Sequence, residues 1–207
     1  MAAPDRNNAV RRGEWAARMK LVLASTSPRR RELLARIGVT PARIASPDID
    51  ETPLPRELPR DYVARLAKGK ALAVERAADE AVLAGDTTVA VGRRILEKPV
   101  DEADLRRMLA LLSGRRHHVW SGVCVVGVDN KPRLRVADTI VAFKVLSAAE
   151  IDWYVECGEG MGKAGGYAIQ GRAESFVRFL SGSHSNVVGL PLFETRTLLT
   201  SAGIPLG

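Results

Sequence analysis

Cysteine is nearly absent from this 207-residue chain: Cys124 and Cys157 are the only two, and no Cys-x-x-Cys pair occurs. That scarcity argues against a disulfide framework or a thiolate zinc site, and it suits free thiols in a reducing compartment such as the cytoplasm. The three histidines, His117, His118 and His184, lack metal-ligand spacing and read as structural or surface residues. Aromatic residues make up 5% of the chain, too few for the stacking platforms of a single-strand nucleic-acid binder. No apolar run approaches the roughly 20 residues of a membrane span. The first 18 residues lack the continuous apolar core of a signal peptide. There is no Walker A sequence, no G-x-G-x-x-G, no Ser-His-Asp or Cys-His set, no internal repeat and no low-complexity segment.

What is present is a globular composition, 46% hydrophobic, with a formal net charge of +7. Residues 1–20 account for +3 of it through Arg6, Arg11, Arg12, Arg18 and Lys20 against Asp5 and Glu14. Residues 1–18 read as a disordered basic tail and 19–207 as one domain, with Met19 an alternative start. The remaining excess of +4 suits an anionic ligand and equally an ordinary solvated surface.

Residues 20–37 are the most informative stretch. Lys20-Leu21-Val22-Leu23-Ala24 reads as a short buried strand, and Ser25-Thr26-Ser27 leads from it into a helix with Pro28 at its first position. Leu33, Leu34 and Ile37 form the helix's apolar stripe, and Gly38 stands where it ends. A helix N-terminus offers unpaired N–H groups and positive dipole character. Here serines and the arginines Arg29, Arg30 and Arg31 are added to it, so cationic forks stand where a phosphate would bind.

The rest of the chain alternates irregularly. A strand is expected at 41–45, a polar loop to Pro59, and a helix capped by Asp61 and running to Ala78. Ala81–Ala84 should be a strand that stops at Gly85-Asp86-Thr87-Thr88, followed by a hairpin through Gly92-Arg93. A helix from Asp101 to Ser113 and long strands at 119–128 and 133–145 come next. Ser147 and Glu150 form a capping box for a helix ending at Gly158. A glycine-rich loop (158–166), a strand at 176–180 and a last helix opened by Pro191 complete the pattern. At least one antiparallel hairpin among mixed elements predicts an α/β fold with a mixed sheet and flanking helices.

Several side chains in this frame can carry chemistry. Lys70 falls inside the apolar stripe of Val63, Leu66, Ala67 and Val74, so it must snorkel, pair with an acid or contact a phosphate. Asp86, past the expected strand end, either shapes a turn or holds a metal or a water. Glu51, with Asp48 and Asp50, is either a solvated acidic loop or a second acidic cluster. Pro99 can aim Lys98. Gln170 has an amide suited to a base edge, and Tyr167 is either a stacking ring or core.

Taken together these segments resemble the Maf family of nucleoside triphosphate pyrophosphatases. The resemblance rests on Leu23-Ala24-Ser25-Thr26-Ser27-Pro28-Arg29-Arg30, Asp48-Ile49-Asp50-Glu51, Ala67-Lys68-Gly69-Lys70-Ala71 and Gly85-Asp86-Thr87-Thr88-Val89. It continues through Leu96-Glu97-Lys98-Pro99, Leu112-Ser113-Gly114-Arg115, Lys163-Ala164-Gly165-Gly166-Tyr167-Ala168-Ile169-Gln170-Gly171 and Asn186-Val187-Val188-Gly189-Leu190-Pro191-Leu192. The eight occur in family order over residues 19 to about 200.

The resemblance implies a mixed α/β fold, similar to inosine triphosphatases, with two lobes around a central cleft and a homodimeric assembly. It implies hydrolysis of a nucleoside triphosphate to monophosphate and diphosphate with Mg²⁺ or Mn²⁺. Asp86 matches the family's general base, and Glu51 with Asp86 the metal-binding carboxylates. Ser25, Arg29, Arg30, Lys70 and Lys98 match its phosphate-binding set, and Arg30, Thr87 and Gln170 match positions linked to substrate choice. The stretch from Lys163 to Gly171 is similar to the branch acting on dTTP and UTP. Gly162 stands where many members have aspartate, and the 7-methyl-GTP branch is the alternative. A nucleic-acid-binding module, suggested by the basic tail, and a non-catalytic regulator of cell division are the readings from other classes.

Overall fold

The computed structural model describes residues 19–204 and 206, so the basic tail lies outside the described residues. Its seven strands are β1 (Lys20–Ala24), β2 (Arg43–Ala45), β3 (Glu80–Val91), β4 (Arg94–Leu96), β5 (Arg116–Val126), β6 (Pro132–Phe143) and β7 (Val177–Ser181). The helices are α1 (Pro28–Arg36), α2 (Pro59–Ala73), α3 (Glu102–Leu112), α4 (Ala148–Glu156), α5 (His184–Val188) and α6 (Leu192–Ser201). One mixed sheet runs in the order β2-β1-β3-β5-β6-β7, with β4 attached to β3. β2 and β3 are parallel to β1, and the pairings from β3 through β5 and β6 to β7 are antiparallel. The expected α/β architecture is therefore present.

The sheet is forked at the place that matters. β1 pairs with β3 from Glu80 to Ala84 and then ends. β3 continues, held on its other edge by β5 from Val82 to Ala90. β4 rejoins the first edge only at Val89. Between them Gly85–Thr88 have a strand neighbour on one side only, and a cleft opens there. The expectation that β3 stops at Gly85 is corrected. The nine-residue ladder to β5 carries the strand straight through the Gly-Asp-Thr-Thr turn signal, and what ends beside Asp86 is the neighbouring strand.

Side-chain alternation along β3 sorts its residues between the two faces. Leu21, Leu23, Leu83, Val123 and Phe143 pack with Leu33, Leu34, Leu105, Leu109 and Leu198 on one face. Val22, Ala24, Val82, Ala84 and Cys124 pack with Ala67, Ala71 and Val74 on the other. By that parity Asp86 turns toward α2 and Thr87 toward the α5–α6 side.

Other boundaries shift for local reasons. α2 begins at Pro59 with Leu58 at the N-cap, and Asp61 lies in its first turn instead of capping it. It ends at Ala73, where Val74 takes extended backbone, so Ala77, expected within the helix, lies beyond it and is exposed. Ser27 holds the N-cap position of α1 without a side-chain cap bond. The Ser147–Glu150 capping box forms as the spacing predicts. The five-residue α5 and the 3-10 turns at Ala164–Gly166 and Arg172–Phe176 are too short for periodicity to show.

Candidate active site

The cleft beside the fork has a volume of about 690 Å³, within the usual range for a small-molecule site. Ser25, Arg29, Arg30, Glu51, Lys70, Asp86, Thr87, Lys98 and Gln170 all line it. The fold thus gathers every site residue expected from the sequence, drawn from positions 25 to 170. Arg31 points to solvent, as do Asp48 and Asp50, which do not join the cleft.

The acidic centre comes from two elements and a loop. Lys70 Nζ donates to Asp86 Oδ1 at 2.7 Å and lies 2.8 Å from Glu51 Oε1. Of the alternatives for Lys70, an acid partner is what it has in this structure. Tyr62 lies on the same face of α2 as Lys70, and its hydroxyl donates to the Glu51 carbonyl at 3.0 Å, fastening the acidic loop to the helix. Burial raises the pKa of Asp86, and Lys70 and Arg30 oppose that rise.

The cationic side starts at α1, whose N-terminus opens on the cleft. Arg30 donates through Nε to the Gly189 carbonyl at 2.9 Å and through Nη1 to Ser25 Oγ at 3.0 Å. Thr87 Oγ1 lies 3.3 Å from the same Gly189 carbonyl and 2.7 Å from Ser121 Oγ. Asn186 anchors that corner by donating to the Val119 carbonyl and Thr139 Oγ1, both at 2.9 Å. Burial lowers the pKa of Arg29, Arg30 and Lys163 alike. Cations held in such surroundings favour the arrival of an anion.

Tyr62, Glu97 and Lys163 are among the lining residues to which the sequence assigned no role, Glu97 and Lys163 entering only within the family motifs. Tyr62 was legible in principle, lying eight residues before Lys70 on one helical face. Lys163 sits among Gly162, Gly165 and Gly166, a glycine density that marks close backbone packing. Tyr167 resolves toward core: it is buried, donates or accepts at His117 Nε2 (2.9 Å), and meets Phe143 edge-on. His117 shares that buried network, where burial pulls its pKa down to about 4, and His118 pairs with Asp138 at the surface.

Asp86 and Glu51 supply hard carboxylate oxygens that already converge on one ammonium. Among the described residues no group of three His, Cys, Asp or Glu side chains forms a protein cage. Hard carboxylate oxygens of this kind could hold a divalent cation such as Mg²⁺ or Mn²⁺.

A forked mixed sheet with an acid pair and basic side chains in one cleft defines an α/β protein built to hold an anionic small molecule. Residues 20–202 match the family model described as Maf-like protein, and the chain belongs to that family. It is 85% identical over 187 residues to the dTTP/UTP pyrophosphatase of Sphingopyxis alaskensis, covering 90% of this chain and 98% of that protein. It is 58% identical over 186 residues to the dTTP/UTP pyrophosphatase of Novosphingobium aromaticivorans, covering 89% and 92% respectively. Among solved structures, the nucleoside-triphosphatase / dITP/XTP pyrophosphatase of Mycobacterium abscessus aligns with a TM-score of 0.39 at 19% identity, over 60% of this chain and 74% of that one.

Proposed function

We propose that the cleft hydrolyses a nucleoside triphosphate, dTTP or UTP, to the monophosphate and diphosphate. One observation carries the reading: Asp86, Glu51 and Lys70 meet in the same cleft as Arg29, Arg30 and Lys98. The names of the relatives support the substrate class.

In this reading water attacks the α-phosphorus in line with the bridging oxygen to the β-phosphate. A new P–O bond forms, the old one breaks, and its electron pair leaves with the diphosphate. Asp86 takes the water's proton, and Lys70 keeps that carboxylate ionised until it does. Arg29, Arg30 and Lys98 offset the charge that grows on the departing diphosphate. Asp86 and Glu51 would hold a divalent metal, Mg²⁺ or Mn²⁺, which when bound polarises the phosphate and acidifies the water. Thr87, Arg30 and Gln170 would set base and sugar preference. The proposal includes a homodimer acting in the cytoplasm. No helix among the described residues is long and apolar enough to cross a membrane.

Hydrolysis in ¹⁸O-labelled water, over a panel of nucleoside triphosphates that includes 7-methyl-GTP, tests the reaction. Label should enter the monophosphate, with dTTP and UTP turned over fastest. Release of orthophosphate, or label in the diphosphate, would reject attack at the α-phosphorus.

A further inference from the structure

Beside Glu97 and Lys98, two groups of charged side chains line the cleft. Asp86, Glu51 and Lys70 compensate one another, with Arg30 acting on Asp86 as well. Arg29 and Lys163 line the same cleft, and neither enters a salt bridge among the described residues. The charges that act on Lys163 are Arg29, which opposes it, and Glu159. Two partly buried cations that line one cleft and oppose each other are costly unless an anion joins them.

The mounting of Lys163 is rigid. Gly165 donates its N–H to the Glu97 carbonyl at 3.1 Å, and Gly166 donates to the Lys163 carbonyl at 2.9 Å. Gly165 lies so close to β3 that an added Cβ would stand 2.7 Å from Val89, and one on Gly166 would stand 2.6 Å from Leu105. Both glycines, and Gly162, have positive φ near 70°, a conformation that side-chain-bearing residues rarely take. The backbone is therefore pinned to β3, α3 and the segment that carries Lys98, while the Lys163 side chain makes no hydrogen bond among the described residues. A pinned backbone under an unpartnered ammonium is a pre-organised binding group.

We propose that Lys163 and Arg29 form a seat for the diphosphate end of the substrate, distinct from the Asp86–Glu51–Lys70 centre. The assignment rests on the proposed attack at the α-phosphorus. The α-phosphate then lies at the carboxylates, and the two cations that enter no salt bridge among the described residues face the group that gains negative charge as the bond breaks.

The experiment uses the full chain and its Lys163→Met and Lys163→Arg variants. Calorimetry with inorganic pyrophosphate and, separately, with dTMP reads the two ends of the cleft. Lys163→Met should weaken pyrophosphate binding about tenfold or more and leave dTMP binding within about twofold, with Lys163→Arg restoring most of the loss. Its melting temperature should match the wild type. Unchanged pyrophosphate binding, an equal loss of dTMP binding, or no measurable pyrophosphate binding by the wild type overturns the seat. If the wild type hydrolyses no nucleoside triphosphate while pyrophosphate binding still depends on Lys163, the reaction assignment fails and the anion seat stands.

Discussion

Lys70 lies between two carboxylates, 2.7 Å from Asp86 and 2.8 Å from Glu51, and both Lys70 and Asp86 are only 7% exposed. Three segments far apart in sequence are fastened at that one ammonium: the loop after β2, helix α2 and strand β3. The lysine resolves its own burial problem by pairing with Asp86, and its charge opposes the rise that burial imposes on the Asp86 pKa.

Asp86→Asn should abolish turnover and spare the fold. Asparagine keeps the size and can still accept from Lys70, while losing the ability to take a proton at neutral pH. The expected fall in kcat is about 10²- to 10⁴-fold, the usual worth of a positioned base. Steady-state kinetics with dTTP, beside a thermal melt, decide the matter. A variant of wild-type rate would remove Asp86 from the proton transfer.

Lys70→Met should cost stability as well as activity, and the stability loss should depend on pH. Without the ammonium only Arg30 opposes the effect of burial on Asp86, and its already elevated pKa rises further. A carboxyl whose folded pKa exceeds its unfolded value favours the folded state at low pH and forfeits that advantage as pH rises. Urea denaturation should therefore show a deficit of about 3–5 kcal/mol at pH 8 that narrows toward pH 5. A deficit independent of pH would mean that Asp86 is compensated by other groups.

Local chemistry explains which parts of this molecule were legible in the sequence. Ser147 and Glu150 announced α4, and the apolar runs at Leu21–Ala24 and Ala81–Ala84 announced buried strands, because caps and burial act over a few residues. Lys70 betrayed itself by standing in an apolar stripe. The Gly-Asp-Thr-Thr segment misled because its composition is that of a turn, whereas β5 supplies the pairing that keeps it extended. Its partners lie more than thirty residues away in sequence (Asp86 faces Gly122), beyond the reach of propensity. Lys163 gained no role from the sequence for a related reason: that it shares a cleft with Arg29 is decided only by the assembled fold.

Glu80 should govern part of the acid limb of stability. Its carboxylate accepts from Arg43 Nε at 2.9 Å and Nη2 at 2.8 Å, and from the Ala77 N–H at 2.9 Å. These bonds, Arg43's first, pull its pKa from 4.5 down to about 2. A depressed carboxylate stabilises the fold fully above its unfolded pKa and loses that contribution as pH falls through the folded one. The window therefore lies between about pH 4.5 and pH 2. Glu80→Gln should cost about 1–2 kcal/mol at pH 7, since Arg43 is partly solvated, and should flatten the denaturation profile across that window. A profile as steep as the wild type's would place the acid sensitivity elsewhere.

Gly122→Ala should be among the most damaging single-methyl changes in the chain. Gly122 pairs across the sheet with Asp86, and a Cβ built there would stand 2.2 Å from the Val63 carbonyl oxygen and 2.7 Å from its carbon. Those are backbone atoms of α2, so relief requires the helix to move off the sheet. Val63 lies two turns before Lys70, and that movement would carry the ammonium away from Asp86 as it opens the core. The expected cost is about 1–3 kcal/mol or more, with catalytic loss beyond what the remaining folded fraction explains. Chemical denaturation and kcat per folded molecule separate the two effects. A folded Gly122→Ala enzyme of native kcat would show that helix seating and the Lys70–Asp86 contact are independent.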